Sequence, residues 1–311
     1  MQLIIALISL VCLISSNANC EEILWKDANS SISTGLALMQ GDTTYQIGGE
    51  VRFPISELIF PLDVYIATFN GKFQLNENWK LALCVKKNIS TASGKMEDSD
   101  WGVLYMHAEP GADPDSLDIY SKSDAKVDLM IAEFGARYYF SRKTYKNSEV
   151  LFFTGGKYIY QNFDFDISNV DEWYPSQPDE PHTQVDGKVL TYEVAKHIPA
   201  VIIGTELLSK QKFSFDAYFG YSPLVTIEDK DNHLLRSKIS KAECDGDATL
   251  FSLSGSYKFR PQWAIDLRFD YISITTKGHQ KQYKNGDYLT TIEQKNFSEI
   301  VTYGLSVSYS F

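Results

Sequence analysis

The chain has 311 residues, a net charge of −11 and a sequence pI of about 5.0, so it is markedly acidic. This charge excludes a nucleic-acid-binding protein, which needs basic patches, and favours cationic partners. Aromatic residues make up 14% of the chain although its mean hydropathy is −0.22, a balance suited to strands with one aromatic face. Only Cys84 and Cys244 lie beyond residue 20, which excludes a disulfide-stapled scaffold and leaves a single disulfide open.

A secretory signal peptide is predicted in residues 1–20. Residues 3–14 are almost wholly apolar, and small or polar residues follow, with cleavage after Ala18 or Cys20. The apolar run is too short for a membrane-spanning helix, which needs about 20 residues. No longer apolar run, internal repeat or linker follows, so residues 21–311 are predicted to form a single domain.

The rest of the chain consists of segments in which apolar and polar residues alternate. In residues 301–311 the odd positions are aromatic or aliphatic, and the even positions are Thr, Gly or Ser. Residues 251–259 and 263–271 repeat the pattern with Ser, Lys, Asp and Arg on the polar face. An apolar outer face and a polar inner face are typical of a transmembrane β-barrel. A soluble β-sandwich also alternates, but the signal peptide, the aromatic content and the terminal Phe311 favour the barrel.

The alternation predicts an all-β fold, a ten-stranded antiparallel barrel that extends beyond the outer membrane. The expected strands are 31–48, 51–75, 78–92, 122–141, 150–168, 189–208, 212–229, 246–259, 263–278 and 298–311. Short connections at 76–78, 142–148, 209–211 and 260–262 predict periplasmic turns, and longer ones at 93–121, 169–188, 230–245 and 279–297 predict external loops. Several strands exceed the roughly 9–11 residues that cross a bilayer. Pro54 and Pro61 predict a bend in the second strand.

Two acidic segments fall at the external ends of these strands. Asp98 and Asp100 are two residues apart, and so are Asp231 and His233, so each pair projects to one face of extended backbone. A carboxylate beside a histidine can fix its tautomer and stabilise its charged form. An isolated Asp-x-His is usually solvated surface, but here the strand order places the two pairs on opposite walls of the barrel. The sequence therefore predicts a cleft with two aspartates facing an aspartate and a histidine.

These segments carry a resemblance to a known family. Residues 94–101 (Gly-Lys-Met-Glu-Asp-Ser-Asp-Trp) and 229–233 (Asp-Lys-Asp-Asn-His), followed by Arg-Ser-Lys at 236–238, resemble the two active-site segments of the omptin family of outer-membrane proteases. Residues 56–58, residues 192–199 and the closing strand add to the likeness, which covers most of residues 21–311. The resemblance implies an omptin-type aspartic endopeptidase with a water nucleophile. No serine or cysteine nucleophile with an adjacent base is evident.

The resemblance also implies a role for each site residue. His233 would take a proton from the attacking water, oriented by Asp231, while Asp98 and Asp100 would position the water and the scissile carbonyl. Omptins favour a basic residue before the scissile bond through two acidic groups. Asp229 matches one of these, whereas Tyr45 stands at the position of the other, so the pocket is expected to bind Arg or Lys less strongly. The expected partners are cationic peptides or proteins at the outside of a bacterial outer membrane, with the chain as a monomer and no nucleic acid.

No metal or cofactor is predicted, and lipopolysaccharide is the one lipid that the resemblance implies as an activator. The basic positions of the family's lipid site fall near Gln161 or Asn162 and on Ala195, with Lys241 as a remnant. The alternative to a protease is a non-enzymatic barrel that acts as an adhesin or narrow porin through its acidic loops. A lipid-modifying barrel enzyme would need a lipid-facing serine and histidine or a histidine and acid, which the pattern lacks.

Overall fold

The computed structural model describes residues 30–49, 52–107, 109, 111–145, 148–209 and 212–311, so the predicted signal peptide lies outside the described residues. Within these residues, twelve strands form one antiparallel sheet. They are β1 (Ser31–Gly48), β2 (Ser56–Pro61), β3 (Val64–Gln74), β4 (Trp79–Asn88), β5 (Lys95–Trp101), β6 (Leu117–Tyr145), β7 (Ser148–Trp173), β8 (Thr183–Ser209), β9 (Phe213–His233), β10 (Lys238–Arg260), β11 (Trp263–Lys284) and β12 (Asp287–Ser310). A short helix α1 (Val103–Met106) follows β5, and a 3-10 turn (Leu234–Arg236) follows β9.

The sheet closes on itself, which confirms the barrel. β12 pairs with β1 along the whole length of β1, from Ser31 opposite Ser310 to Gly48 opposite Glu293. The expected second strand is interrupted after Pro61, which lacks an N–H for the ladder, and becomes β2 and β3. The expected third strand ends early, and the chain returns as β5. At the end of the barrel with the short turns, β3 and β4 lie between β1 and β6. At the external end, β2 and β5 take their place. Together with β7 to β12, ten strands therefore surround the lumen at either level.

The barrel continues well past the ends expected for its strands. β9 and β10 are joined only by the turn at 234–237, and β11 and β12 by Asn285 and Gly286, whose φ values of 53° and 92° suit a type I′ hairpin. The expected long loops 230–245 and 279–297 are therefore mostly paired strand, and this part of the sequence-based prediction is wrong. In these two segments the lumen-facing positions are mostly polar, as at Ser240, Gln280, Gln282 and Gln294, so the apolar alternation that reveals the lower strands is lost.

An apolar band on the outer wall marks the membrane-spanning segments. The exposed side chains of this band include Leu36, Phe134, Val201, Phe219, Leu253, Leu267 and Leu305. Tyr65, Tyr158 and Leu224 lie at its upper edge, and the next outward positions are charged, as at Glu228 and Glu299. Nearer the external ends of the strands lie Thr43, Lys196, Asp229 and Ser298. Among the described residues, no helix has the length and apolar character needed to cross a bilayer.

Ion pairs fill the barrel interior at membrane height. The Glu133 carboxylate lies 2.7 Å from Lys86 Nζ and 2.8 Å from Lys157 Nζ, and Arg268 Nε lies 2.8 Å from Asp270. A cavity of about 770 Å³ opens beneath them at the end of the short turns. Packing of this kind opposes the narrow-porin alternative, because the charged side chains occupy the path that ions would take. Cys84 on β4 and Cys244 on β10 are both buried and free, so the disulfide left open by the sequence is not formed.

Candidate active site

The first predicted pair lies where β5 reaches the mouth of the barrel. Strand pairing places Tyr45, Leu58 and Asp98 side by side on β1, β2 and β5, and Ser56 beside Asp100. Residues paired across a sheet project to the same face, and Tyr45 and Leu58 are 1% and 2% exposed. Asp98 therefore faces the lumen, and its Oδ1 atom is enclosed without a hydrogen-bond partner.

The second pair lies on the opposite wall, at the end of β9. β5 and β9 are separated by β6, β7 and β8 in one direction and by five strands in the other. Asp231 lies between Tyr192 of β8 and Ser240 of β10 and is 1% exposed. The strand pairing thus places the two pairs on facing walls at the same end of the barrel, as the sequence predicts.

Asp231 and His233 are in direct contact. His233 Nε2 lies 2.9 Å from Asp231 Oδ2, and the imidazole is 21% exposed. With Nε2 bonded to the carboxylate, Nδ1 is the nitrogen left to accept a proton. The same Oδ2 atom accepts a second hydrogen bond from the Tyr45 hydroxyl at 2.5 Å. The sequence contains no signal for this second bond, because its partners are 186 residues apart.

Burial raises the pKa of both aspartates of the first pair. Burial, followed by the charges of Asp100 and Asp231, raises the pKa of Asp98 well above its usual range. Burial also raises the pKa of Asp100, opposed by the hydrogen bond from Ser56 and the charge of Arg236. Closely spaced carboxyl groups of this kind titrate as a pair and share a proton. The site therefore offers a proton donor on one wall and an imidazole base on the other.

Asp229 lies two residues before Asp231 and faces the same way. Its Oδ2 atom accepts hydrogen bonds from Gln294 Nε2 at 2.5 Å and from the Tyr192 hydroxyl at 3.2 Å. Asp229 is 6% exposed, and burial raises its pKa to about 7. It is therefore only partly ionised at neutral pH and would hold a cationic side chain less strongly than a fully ionised carboxylate.

Tyr45 belongs to an aromatic floor beneath the two walls. Its ring centroid lies 5.2 Å from that of Tyr192 and 6.1 Å from that of Phe60. Phe60 in turn stacks on Tyr192 at 4.5 Å and packs against Phe165 at 5.0 Å. The predicted contact of Tyr45 with substrate stays a prediction. What the geometry adds is that the ring is packed and the hydroxyl is already bonded to Asp231.

The sequence alone assigns no role to several residues at the site. Tyr192 and Arg236 fall inside the segments that carry the resemblance, which is the signal that could have found them. Gln294 offers no such signal, since it reaches Asp229 across the lumen from β12. At the positions implied for lipid, Gln161 is buried, Asn162 donates to Asp164 at 3.1 Å, and Lys241 is exposed. Activation by lipopolysaccharide stays a prediction.

Comparison with known proteins places this geometry in a family. A family model described as the omptin family matches residues 26–311. Among solved structures, outer membrane protease OmpT from Escherichia coli aligns with a TM-score of 0.75 and 16% identity, covering 94% of this chain and 99% of that chain. The translocator domain of autotransporter NalP from Neisseria meningitidis aligns with a TM-score of only 0.38 and 8% identity, over 96% and 92% of the two chains. No curated protein matches the chain by sequence.

The likeness to OmpT is a likeness of fold, and the family model carries the assignment because it spans almost the whole described chain. The barrel and its apolar band are those of a bacterial outer-membrane protein. The chain belongs to the omptin family of outer-membrane proteases.

Proposed function

We propose that this outer-membrane protein is an active endopeptidase of the aspartic type, in which His233 activates a water molecule for attack on the scissile carbonyl. The observation that carries the proposal is the 2.9 Å contact between His233 Nε2 and Asp231 Oδ2 on the wall opposite Asp98 and Asp100. A histidine held by a buried carboxylate is a general base suited to neutral pH. No residue of the chain needs to become covalently bound to the substrate.

In the proposed reaction, His233 Nδ1 accepts a proton from the water as its oxygen bonds to the carbonyl carbon. The negative charge that develops on the carbonyl oxygen is met by the proton shared between Asp98 and Asp100. His233 then returns its proton to the amine nitrogen as the C–N bond breaks, giving a free carboxyl group and a free amine. Asp231 stabilises the imidazolium between the two transfers and fixes the ring orientation.

We further propose that substrates are cationic peptides or proteins outside the cell. Acidic residues predominate at the external ends of the strands and in their connections, including Glu97, Asp113, Asp115, Asp171, Glu172, Asp179, Glu180 and Asp186. The lining of the cavity at the other end of the barrel contains seven basic side chains and three acidic ones. An acidic mouth attracts cationic chains and raises their local concentration. Asp229 and Tyr45 lie beneath the cleft, on the side from which a substrate side chain would be recognised.

The test is cleavage of a mixed library of internally quenched peptides by the purified, refolded protein, with and without lipopolysaccharide. We expect cleavage after refolding, and its loss in the His233→Ala protein when that variant folds as the wild type does. Binding of peptides without cleavage in both lipid conditions would favour the adhesin alternative. Cleavage only with lipopolysaccharide would show that activation survives the changes at Gln161, Asn162 and Ala195.

A further inference from the structure

A hydrogen bond crosses the lumen from Tyr45 on β1 to Asp231 on β9. The Tyr45 hydroxyl donates to Asp231 Oδ2 at 2.5 Å, and His233 Nε2 lies 2.9 Å from the same oxygen. The three side chains therefore form a continuous chain in the order tyrosine, aspartate, histidine. Nothing in the proposed chemistry above uses the tyrosine.

The tyrosine hydroxyl can act only as a donor in this bond. Burial, together with the charge of Asp231 and the hydrogen bond to it, raises the pKa of Tyr45 well above its usual range. The hydroxyl therefore keeps its proton at every pH at which the barrel would work. A phenol that cannot ionise beside a carboxylate acceptor is a fixed donor rather than a base or a nucleophile.

Packing fixes the direction of this donor. Tyr45 is 1% exposed, and its ring lies against Phe60 and Tyr192 at centroid distances of 6.1 Å and 5.2 Å. Its backbone is held on both sides, since Tyr45 pairs with Leu58 on β2 and with Asn296 on β12. The packed ring therefore directs the hydroxyl toward the Asp231 carboxylate.

Asp231 depends on this donor for its orientation. Its Oδ1 atom is buried and has no hydrogen-bond partner, so the carboxylate is held through Oδ2 alone. Of the two groups at Oδ2, His233 is partly exposed and would change its charge during the reaction. Tyr45 is the contact that would stay constant while the histidine gains and loses a proton.

We propose that Tyr45 is a positioning residue for the Asp231–His233 pair, holding the carboxylate so that the imidazole keeps its basic nitrogen toward the attacking water. The inference rests on the proposed peptidase function and goes beyond it, because it gives Tyr45 a part in the rate of the chemical step. The bond also draws negative charge from Asp231, which limits how strongly the carboxylate retains a proton on His233.

The test compares Tyr45→Phe with the wild type and with a matched control, Tyr139→Phe. Tyr139 is also buried, and its hydroxyl donates to the Glu206 carboxylate at 2.5 Å, but near the other end of the barrel. In Tyr45→Phe we expect kcat to fall by about 10- to 100-fold while KM stays within about twofold, because the lost bond involves a charged acceptor. In Tyr139→Phe, kcat and KM should both stay within about twofold of wild type.

The pH profile separates positioning from a structural role. Without the tyrosine hydroxyl, more negative charge stays on the Asp231 carboxylate, so the acid limb of kcat/KM should move to higher pH in Tyr45→Phe. The surrounding charges of Asp98, Asp100, Arg236 and Lys238 are the same in both proteins. The acid limb of the kcat/KM profile of Tyr139→Phe should coincide with that of the wild type. The near-isosteric 3-fluorotyrosine at position 45 keeps the ring in place and strengthens the donor, and should move the limb to lower pH. This variant also keeps the test valid if Tyr45→Phe does not fold.

Two outcomes have different meanings. If the wild type cleaves peptides and folded Tyr45→Phe keeps its kcat and its acid limb, the positioning role is overturned and the peptidase proposal stands. If the wild type cleaves nothing, the peptidase proposal fails and the inference fails with it.

A double variant provides a further test. In the Asp231→Asn background we expect Tyr45→Phe to cause no further loss of activity, since the two residues act through one bond. An additional tenfold loss there would contradict the inference.

Discussion

Asp229 and Asp231 lie two residues apart on β9 and face the same lumen, yet different partners hold them. Asp231 Oδ2 is bonded to His233 and Tyr45, whereas Asp229 Oδ2 accepts from Gln294 and Tyr192. Asp229 thus has no contact with the imidazole, and burial raises its pKa to about 7. One carboxylate is bonded to the base, and the other is bonded to side chains of β8 and β12, although the charge of Asp231 also contributes to its raised pKa.

This separation predicts a substrate preference that changes with pH. Asp229 is mostly protonated at pH 6 and mostly ionised at pH 8, because its pKa is raised to about 7. We therefore expect the ratio of kcat/KM for Arg over Leu before the scissile bond to rise about five- to tenfold between these pH values. Taking the ratio for two substrates cancels the titration of the catalytic groups, which both substrates share.

The measurement uses two quenched peptides that differ only at that residue. In Asp229→Asn the ratio should be low and independent of pH, while cleavage of the Leu peptide persists. A wild-type ratio that stays flat from pH 6 to pH 8 would show that Asp229 does not contact the substrate side chain.

The proposed chemistry predicts that Asp98→Asn, Asp231→Asn and His233→Ala each insert into the membrane as the wild type does but lose cleavage. We expect losses of at least about 100-fold in kcat/KM, as for removal of a general base or its orienting partner. A heat-modifiability gel reports the folded barrel, and peptide cleavage reports activity. Asp128→Asn, on an outer wall where the side chain is 68% exposed, is the control and should retain activity. Full activity in His233→Ala would rule out the mechanism.

The barrel and the placement of the Asp98–Asp100 and Asp231–His233 pairs could be predicted from sequence because both depend on local spacing. Alternation along one strand decides which side chains face lipid, and residues 301–311 show it plainly. In the same way, a separation of two residues is enough to bring Asp231 and His233 to one face. Pro61 likewise marks the point at which the second strand breaks.

The remaining features depend on distances across the lumen. Tyr45 meets Asp231, and Gln294 meets Asp229, only because the closed ring brings distant strands face to face. Residues 279–284 and 287–297 are paired strand, but they lie beyond the apolar outer band and their side chains show no apolar alternation. The return of the chain as β5 needs the edge of β2, which exists only once the second strand has broken.

Glu133 is predicted to stabilise the folded barrel. Its carboxylate is 8% exposed and lies within 2.8 Å of both Lys86 Nζ and Lys157 Nζ. Glu133→Gln would leave two buried cations without their shared partner, a loss of about 3–5 kcal/mol in the free energy of unfolding. Urea titration in detergent micelles measures this loss. Glu193→Gln, which removes a 54% exposed carboxylate from a 3.5 Å surface pair, is the control and should change stability by less than about 1 kcal/mol. Equal stability of the two variants would contradict the prediction.

Lys196 should reduce the stability of the barrel rather than support it. It is 0% exposed, and Nζ donates to Thr43 Oγ1 at 2.9 Å and to Ser298 Oγ at 2.5 Å, which are both neutral acceptors. Burial lowers the pKa of Lys196 to about 7, opposed by the charges of Asp42 and Asp229. An unfolded lysine titrates near about 10.4, so folding must remove its proton throughout the interval between these values.

The sign of the effect follows from that interval. Burial of the charged lysine lowers the free energy of unfolding by its full amount below pH 7. This destabilisation decreases as the pH rises and vanishes above about pH 10. Lys196→Met is therefore expected to stabilise the barrel by about 3–5 kcal/mol at pH 7 and by about 2 kcal/mol at pH 9. Thr43 and Ser298 keep a hydrogen bond to each other at 2.8 Å, so the substitution leaves neither hydroxyl unpartnered.

Urea titrations of wild type and Lys196→Met at pH 7 and pH 9 measure the difference, with Lys241→Met as the control because Lys241 is exposed on the outer wall. The control should follow the wild type at both pH values. A stabilisation by Lys196→Met that is the same at pH 7 and pH 9 would mean that the folded barrel keeps Lys196 protonated. Loss of stability would mean that its two hydrogen bonds outweigh the cost of burial.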